Sequence, residues 1–210
     1  MKGIIFDIDG TLWDSREPIA KAWNEAVFIN SGIKTDFNAE NLKHLFGKPM
    51  DVIFNTLLPQ FSEDERRKLS EQCCEYENNY LINNPGTLYD NIEDTLKILY
   101  KQYSLYIVSN CHSGYIPVFL LSTGLKGYFK DSLCPGDTGK LKAENIDLII
   151  KRNNITDAVY IGDTQTDLDS ARKAKIKFIF AEYGFGSADS FDAKIKCFSD
   201  IPNTLKNIGF

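Results

Sequence analysis

The chain has 210 residues, of which 43% are hydrophobic and 25% are charged, and its formal net charge at pH 7 is −5. These values are typical of one globular unit, or of one unit with an insertion, and they exclude a repeat array and wholesale disorder. The acidic balance argues against a protein that coats nucleic acid or an anionic membrane, since both need a basic surface.

Five short apolar segments predict β-strands, at residues 3–8, 104–109, 131–134, 158–161 and 177–181. Most are continuous apolar runs, which is typical of strands covered on both faces of a parallel sheet. Helical patterns alternate with the later strands, at residues 91–101, 114–122, 143–153 and 166–173. The alternation predicts an α/β fold built from right-handed βαβ units.

The stretch between the first two predicted strands is far longer than the dozen or so residues that a crossover helix needs. Within it, residues 17–30, 39–45, 50–58 and 63–81 show helical periodicity, and Ser62 followed by Glu65 forms a capping box. We therefore expect a small helical cap domain at residues 15–85, inserted into a core domain formed by residues 1–14 and 86–210.

Five cysteines without C-x-x-C spacing and only two histidines argue against a zinc site. The chain has no stretch that resembles an export signal and no apolar run long enough to span a bilayer. We expect a cytoplasmic protein whose thiols are reduced and pack as small apolar groups.

Two carboxylates follow the first predicted strand, in the segment DIDGTL at residues 7–12. Alternation along an extended chain puts Asp7 and Asp9 on the same side, and Gly10 permits a sharp turn. A polar strand end that forms a β-turn is the structural alternative, since Asp-Gly is a common turn pair. However, a carboxylate in an apolar strand needs a partner that offsets its desolvation, and a metal ion would supply one.

Two further carboxylates follow the fourth predicted strand, in the segment GDTQTD at residues 162–167. Asp163 and Asp167 can face one centre if the chain turns into a helix there, whereas the alternative is a loop with a threonine N-cap. In open α/β sheets, ligands bind beyond the carboxyl ends of the strands, so both acidic segments would line one crevice. Such an oxygen-rich set is typical of a Mg²⁺ site.

Neutral and basic groups complete the pattern. Ser109 and Asn110 end the second predicted strand and can donate to an anion, unless they serve only as a helix cap. Lys142 begins a predicted helix, where the dipole opposes a positive charge, so it needs an anionic partner or solvent. Lys140 competes with it for the same role.

In this order the four segments resemble the motifs of the haloacid dehalogenase-like hydrolase superfamily, and in particular its phosphoglycolate phosphatase-like branch with a helical cap. The resemblance spans nearly the whole chain and implies a Rossmann-like parallel sheet with helices on both faces. One departure concerns the third motif, because the usual Lys-Pro is replaced here by Lys142 followed by Ala143.

The resemblance implies a Mg²⁺-dependent phosphatase that acts on a small phosphorylated metabolite through an aspartyl phosphate. Asp7 would be the nucleophile, and Asp9 would protonate the leaving alkoxide and later deprotonate water. The dehalogenases of the family lack this second aspartate, which points to phosphate esters here. Asp7, the carbonyl of Asp9 and Asp163 would bind Mg²⁺, and Asp167 would support that shell.

The remaining implied roles concern phosphate and the leaving group. Thr11, Ser109 and Asn110 would hold the phosphate oxygens, and Lys142 would neutralise charge. Lys48 lies in a Gly-Lys-Pro turn that resembles a substrate-facing cap loop, where it could meet an anionic leaving group, although a solvated turn is the alternative.

Other functions remain open on the same fold. A phosphomutase would pass the phosphoryl group back to a sugar phosphate, a pyrophosphatase would use inorganic pyrophosphate, and a non-catalytic domain would only bind phosphate. We expect no nucleic-acid or membrane partner, and a monomer or weak dimer.

Overall fold

The computed structural model describes residues 1–210 and contains eight β-strands. In chain order they are β1 (Lys2–Phe6), β2 (Trp13–Asp14), β3 (Thr87–Leu88), β4 (Ser104–Val108), β5 (Phe129–Leu133), β6 (Asp157–Gly162), β7 (Lys177–Ala181) and β8 (Ala193–Ile195). Six of them form a parallel sheet in the order β5-β4-β1-β6-β7-β8, and β2 pairs with β3 in a separate antiparallel ribbon. The predicted parallel α/β fold is confirmed.

Ten α-helices accompany the strands. They are α1 (Arg16–Ser31), α2 (Ala39–Lys43), α3 (Met50–Leu57), α4 (Glu63–Asn83), α5 (Ile92–Tyr100), α6 (Tyr115–Thr123), α7 (Pro135–Thr138), α8 (Lys142–Arg152), α9 (Gln165–Lys173) and α10 (Ile201–Asn207). No helix has both the length and the apolar character that a membrane crossing requires.

Helices cover both faces of the main sheet, and alternation along β1 shows how. Ile4 and Phe6 belong to one buried apolar cluster, which also contains residues of α5, α6 and α10. Ile5 belongs to a second cluster, which contains residues of α8 and α9. Because successive side chains of a strand point to opposite faces, each strand contributes to both layers. A two-sided sheet of this kind explains the continuous apolar runs in the sequence.

Helices α1 to α4 all lie within the predicted cap segment 15–85. The rings of Trp23 in α1 and Phe54 in α3 pack with their centroids 5.0 Å apart. At the start of α4, the backbone N–H of Ser62 donates to Glu65 Oε2 at 2.8 Å, so the capping box is confirmed. The apolar residues of these helices join the cluster that contains Ile4, and the division into two domains stays a prediction.

The first strand is shorter than predicted, because it ends at Phe6 rather than at residue 8. Asp7 still donates its backbone N–H to Ile161 O at 2.9 Å, but the chain then turns. The N–H of Leu12 donates to the carbonyl of Ile8 at 2.7 Å, and Gly10 has a φ of 81° in the turn. Asp9 therefore lies in a loop and not in the strand.

Several short elements carried no signal in the sequence. These are the two-residue strands β2 and β3, the helix α7, the edge strand β8 and the C-terminal helix α10. A two-residue strand is too short to show alternation, so its pairing depends on where the tertiary structure brings the two linkers together. The β2–β3 ribbon joins Asp14 to Thr87, that is, the two ends of the segment that carries α1 to α4.

Candidate active site

The candidate site lies at the carboxyl ends of three neighbouring strands. β1 lies between β4 and β6 in the sheet, so the residues that follow these strands meet at one edge. Asp7 follows β1, Ser109 follows β4 and Asp163 follows β6. All three are buried, with exposed fractions of 2% or less. The parallel topology thus brings together residues that are far apart in sequence, as expected for this class of sheet.

Lys142 is the cation at the centre of the site. Its Nζ lies 3.1 Å from Asp7 Oδ1 and 2.6 Å from Asp167 Oδ1. Burial opposes its charge, but attraction by Asp167 and Asp7 outweighs burial and raises the pKa of Lys142. Lys140 is exposed, and its backbone N–H donates to Thr138. The structure therefore brings Lys142, and not Lys140, to the carboxylates.

Three buried carboxylates surround this one ammonium group. Burial raises the pKa of Asp7 to about 6, although the charge of Lys142 and a hydrogen bond from Ser109 oppose the shift. Burial together with repulsion by Asp167 and Asp7 raises the pKa of Asp163 well above its ordinary value. The site therefore has more buried negative charge than Lys142 alone can offset.

A divalent cation fits this excess of negative charge. Asp7, Asp163 and Asp167 each present an oxygen, and these oxygens lie within 4.8 Å of one another. Carboxylate oxygens are the ligands that Mg²⁺ prefers, and it usually binds through only a few of them. The donor set thus matches the metal expected from the sequence.

Asp163 is held by contacts that leave it little freedom. Its Oδ2 accepts a hydrogen bond from the backbone N–H of Phe185 at 2.7 Å, and its Oδ1 accepts one from Thr11 Oγ1 at 3.3 Å. A Cβ on Gly10 would lie 2.2 Å from Asp163 Oδ2, and a Cβ on Gly184 would lie 2.3 Å from Asp163 Cβ. Both glycines are therefore required by close approach to this carboxylate.

Asp167 supports the same loop from the first turn of α9. Its Oδ2 accepts hydrogen bonds from the backbone N–H groups of Asp163 at 3.2 Å and Thr164 at 3.0 Å. Thr164 is also the N-cap of α9. The cap and the acidic site, which the sequence left as alternatives, occur together here.

Asp9 lies apart from these carboxylates, and its side chain does not join their cluster. Its Oδ1 accepts hydrogen bonds from Ser15 Oγ at 2.5 Å, Tyr115 OH at 2.6 Å and Trp13 Nε1 at 2.9 Å. Burial raises the pKa of Asp9 to about 7, and these three donors limit the rise. Such a group can both release and take up a proton near neutral pH.

Of the residues expected to hold the phosphate oxygens, two line the cavity and one does not. Ser109 and Asn110 line the cavity beside Asp7 and Asp9, and Asn110 Nδ2 donates to the carbonyl of Gly47 at 2.9 Å. Thr11 is fully buried against Asp163 and does not line that cavity.

Lys48 is exposed and is absent from the cavity wall. Its predicted contact with an anionic leaving group therefore has no support from its position, although the neighbouring Gly47 does line the cavity.

The cavity contains about 30 Å³ of space, enough for a water molecule or two. Asp7 and Asp9 come from the chain that follows β1, Glu77 comes from α4, and most of the apolar wall comes from residues 19–53. Sequence reasoning missed four residues of this wall, namely Trp23, Glu77, His112 and Tyr115. The only sequence signal for any of them was that His112 lies three residues after Ser109, a predicted site residue.

Comparison with known proteins tests the resemblance that the motifs suggested. The family model for haloacid dehalogenase-like hydrolases matches residues 4–181. The chain belongs to this family. The match includes all four motifs, from Asp7 to Asp167, and the family predicted from the sequence is confirmed.

Relatives with assigned activities match most of the chain. A phosphoglycolate phosphatase from Aquifex aeolicus is 28% identical over 199 residues, which cover 90% of this chain and 89% of that protein. A phosphoglycolate phosphatase from Vibrio vulnificus is 25% identical over 92% of this chain and 89% of its own length. A haloacid dehalogenase-like hydrolase from Streptococcus pneumoniae matches 96% of both chains with a TM-score of 0.83 at 23% identity. The predicted enzyme class, a phosphatase of this family, is confirmed.

Proposed function

We propose that this protein is a Mg²⁺-dependent phosphatase that hydrolyses a small phosphate monoester through an aspartyl phosphate on Asp7. The observation that carries the proposal is the buried bridge of Lys142 between Asp7 and Asp167, with Asp163 beside them. A single buried cation among three carboxylates suits a site that gains a divalent metal and an anionic substrate.

Asp7, Asp163 and Asp167 would hold the metal. When bound, it would supply the positive charge that lets a carboxylate approach a phosphate dianion. Lys142 contributes to the same neutralisation and orients Asp7 through its 3.1 Å contact with Oδ1. Ser109 and Asn110 provide neutral donors for the phosphate oxygens without adding charge.

Two displacements at phosphorus complete the reaction. A carboxylate oxygen of Asp7 attacks phosphorus, the bond to the ester oxygen breaks, and that oxygen leaves with the electron pair and takes a proton from Asp9. Water then attacks phosphorus and gives a proton to Asp9, and the bond to Asp7 breaks, which restores both carboxyl groups. The pKa of Asp9, about 7, suits both proton transfers.

The alternatives from the sequence receive less support. A relative named pyrophosphatase PpaX from Listeria welshimeri is 25% identical over 82% of this chain. However, the cavity of this chain is lined by neither lysine nor arginine, and its one histidine, His112, already faces Glu77, so a second phosphate would lack an unpaired buried cation there. A phosphomutase shares the first displacement and differs only in the acceptor of the second.

The test is hydrolysis of p-nitrophenyl phosphate with and without Mg²⁺. We expect release of inorganic phosphate only with the metal, loss of turnover in Asp7→Asn, and an aspartyl phosphate on the peptide that contains Asp7 after acid quenching. Asp157→Asn is the control, because Asp157 is exposed at the opposite end of β6. Full activity of Asp7→Asn, or equal rates after removal of divalent ions, would refute the proposal.

Product analysis separates the hydrolase from the mutase. A phosphatase releases phosphate from hexose phosphates or leaves them unchanged, whereas a mutase converts one hexose phosphate into another.

A further inference from the structure

One buried charge pair in the cavity wall has no role in the mechanism above. Glu77 from α4 is 1% exposed, and its Oε1 lies 3.3 Å from His112 Nε2. Its other oxygen, Oε2, accepts a hydrogen bond from Trp23 Nε1 at 2.5 Å. Both Glu77 and His112 line the same cavity as Asp7 and Asp9. A buried ion pair is weak evidence for stability, because desolvation offsets its attraction, so its position in this wall suggests another use.

The rest of the cap-side wall is apolar. It consists of Ile19, Trp23, Leu42, Leu45, Phe46, Met50 and Ile53. A leaving group that carries a carboxylate would lose its hydration in this apolar space and would face the negative charge of Glu77. No lysine or arginine lines the space to compensate for that loss.

His112 has one ring nitrogen, Nε2, that makes no hydrogen bond within the protein. Its Nδ1 lies 3.1 Å from the carbonyl of Ser113, which can only accept, so Nδ1 carries a proton. Its Nε2 is inaccessible to solvent and makes no well-aligned hydrogen bond, although Glu77 is near. Burial opposes protonation, but attraction by Glu77 outweighs it and raises the pKa of His112. Because Nε2 faces Glu77 Oε1 at 3.3 Å, and a carboxylate oxygen can only accept, we infer that Nε2 carries a proton as well.

The pair thus offers one acceptor and one donor side by side. A hydroxyl group complements both, because it can donate to the Glu77 carboxylate and accept from His112 Nε2. An ammonium group has no lone pair for His112 and meets its positive charge. A carboxylate has no proton for Glu77 and meets its negative charge.

The pair also lies next to the group that would protonate the leaving oxygen. The ring of His112 packs edge-on against Tyr115 with centroids 5.5 Å apart, and Tyr115 OH donates to Asp9 at 2.6 Å. Asp9, Glu77 and His112 line one cavity of about 30 Å³, so only a short leaving group whose ester oxygen is at Asp9 can reach Glu77 and His112.

We propose that Glu77 and His112 bind a hydroxyl of the leaving group, so that the preferred substrates are phosphate monoesters of uncharged alcohols with a second hydroxyl. This inference rests on the phosphatase function proposed above and specifies its substrate class. It differs from the substrate in the names of the phosphoglycolate phosphatase relatives, since phosphoglycolate has a carboxylate on its leaving group.

The test compares four esters that differ only at the end of a short leaving group. They are 2-hydroxyethyl phosphate, 2-phosphoglycolate, phosphoethanolamine and propyl phosphate, which end in a hydroxyl, a carboxylate, an ammonium and a methyl group. We expect kcat/KM for the hydroxyl ester to exceed each of the others by about tenfold or more, as expected for a hydrogen bond to a charged group. Highest kcat/KM for 2-phosphoglycolate would overturn the proposal.

Two variants identify the residues responsible. Glu77→Gln keeps the size of the side chain and an acceptor for Trp23, and we expect it to reduce the discrimination against 2-phosphoglycolate. His112→Gln should reduce the preference for the hydroxyl ester over propyl phosphate, and it tests the pair if the first variant does not fold. Glu75→Gln, at an exposed position of α4, should leave all ratios unchanged.

The outcomes separate this proposal from the phosphatase function. If the esters are hydrolysed but the Glu77 and His112 variants keep the wild-type ratios, the substrate class is wrong and the phosphatase function stands. If neither these esters nor p-nitrophenyl phosphate is hydrolysed with Mg²⁺, both proposals fail.

Discussion

The hydroxyl of Tyr115 donates a 2.6 Å hydrogen bond to Oδ1 of Asp9, from the first residue of α6 to a carboxylate in the loop after β1. Ser15, immediately before α1, donates to the same oxygen. Asp9 is therefore held jointly by α6 and by the residue that precedes α1. Both hydrogen bonds lower the pKa of Asp9, the group to which we assign proton transfer, against the effect of burial.

Replacing Tyr115 by phenylalanine should change the pH dependence of turnover. The hydrogen bond from Tyr115 stabilises the charged form of Asp9, so its loss raises the pKa of Asp9 above the present value of about 7. Protonated Asp9 then persists to higher pH, and the alkaline limb of the kcat profile for an alkyl phosphate should move upward. We also expect kcat near neutral pH to fall by about tenfold, because Asp9 becomes a weaker acid and its carboxylate, formed as it protonates the leaving oxygen, loses one hydrogen bond.

The control is Tyr128→Phe, which removes a hydroxyl that bonds Glu93 away from the site. Its pH profile should match the wild type. A downward shift in Tyr115→Phe would show that Asp9 does not set the alkaline limb.

Magnesium should stabilise the protein through Asp163. A ligand at one hundred times its dissociation constant stabilises the folded state by about 2.7 kcal/mol. For a chain of this size that corresponds to a rise in Tm of roughly 5 to 10 °C. We expect this rise by differential scanning fluorimetry in the wild type and in Asp157→Asn.

In Asp163→Asn most of the rise should disappear. Without metal this variant should be at least as stable as the wild type, because it removes a buried carboxylate that Asp167 and Asp7 repel. An unchanged response to Mg²⁺ would remove Asp163 from the metal site.

Lys142→Met should destabilise the metal-free protein, whereas Lys140→Met should not. The first change leaves Asp7 and Asp167 without their cation, and breaking a buried pair in this way costs about 3 to 5 kcal/mol. The second changes an exposed side chain, for which we expect less than about 0.5 kcal/mol. Urea denaturation at pH 7 measures both, and similar effects of the two variants would contradict the assignment of Lys142.

Asp131 should contribute stability that is lost in acid. Burial opposes its charge, but hydrogen bonds from Arg152 and Asn153 outweigh burial and lower the pKa of Asp131. A lowered pKa in the folded state gives stability above the unfolded-state value of about 3.9, and this stability disappears as the pH falls through the folded-state pKa.

The variant Asp131→Asn tests this dependence. Because Arg152 is 43% exposed, solvent screens the pair, and we expect a loss of about 1 kcal/mol at pH 7. The difference from wild type in urea denaturation should shrink as the pH is lowered below about 4. A difference that grows in acid would show that Asp131 is not stabilised as a carboxylate.

The sequence predicted much of the sheet and the acidic site because both depend on local patterns. Strands such as β4 and β6 are buried on both faces, so they must be apolar throughout. Asp7 and Asp163 follow such strands directly, and parallel topology alone brings them to one edge. The end of β1 was harder to predict, because Ile8 continues the apolar pattern although the chain already turns there, with Leu12 donating to its carbonyl and Gly10 at a positive φ.

The wall of the cavity was not predictable from local patterns. Glu77 occupies a position on a polar helix that sequence reasoning treats as solvated, yet the packing of the helices buries it, and Trp23, 54 positions earlier, donates to it. Tyr115 reads as an ordinary core aromatic residue until its hydroxyl is found on Asp9, 106 positions away.

By itself, the sequence determined the α/β class, the inserted helical segment and the carboxylates of the site, because apolar periodicity and strand-end polar residues are local properties of the chain. Only the tertiary structure decided that Lys142 rather than Lys140 reaches Asp7, that Lys48 faces solvent, and that Glu77 and His112 share the cavity. These contacts join residues from separate helices and loops, so they depend on how the layers pack and leave no regular spacing in the sequence.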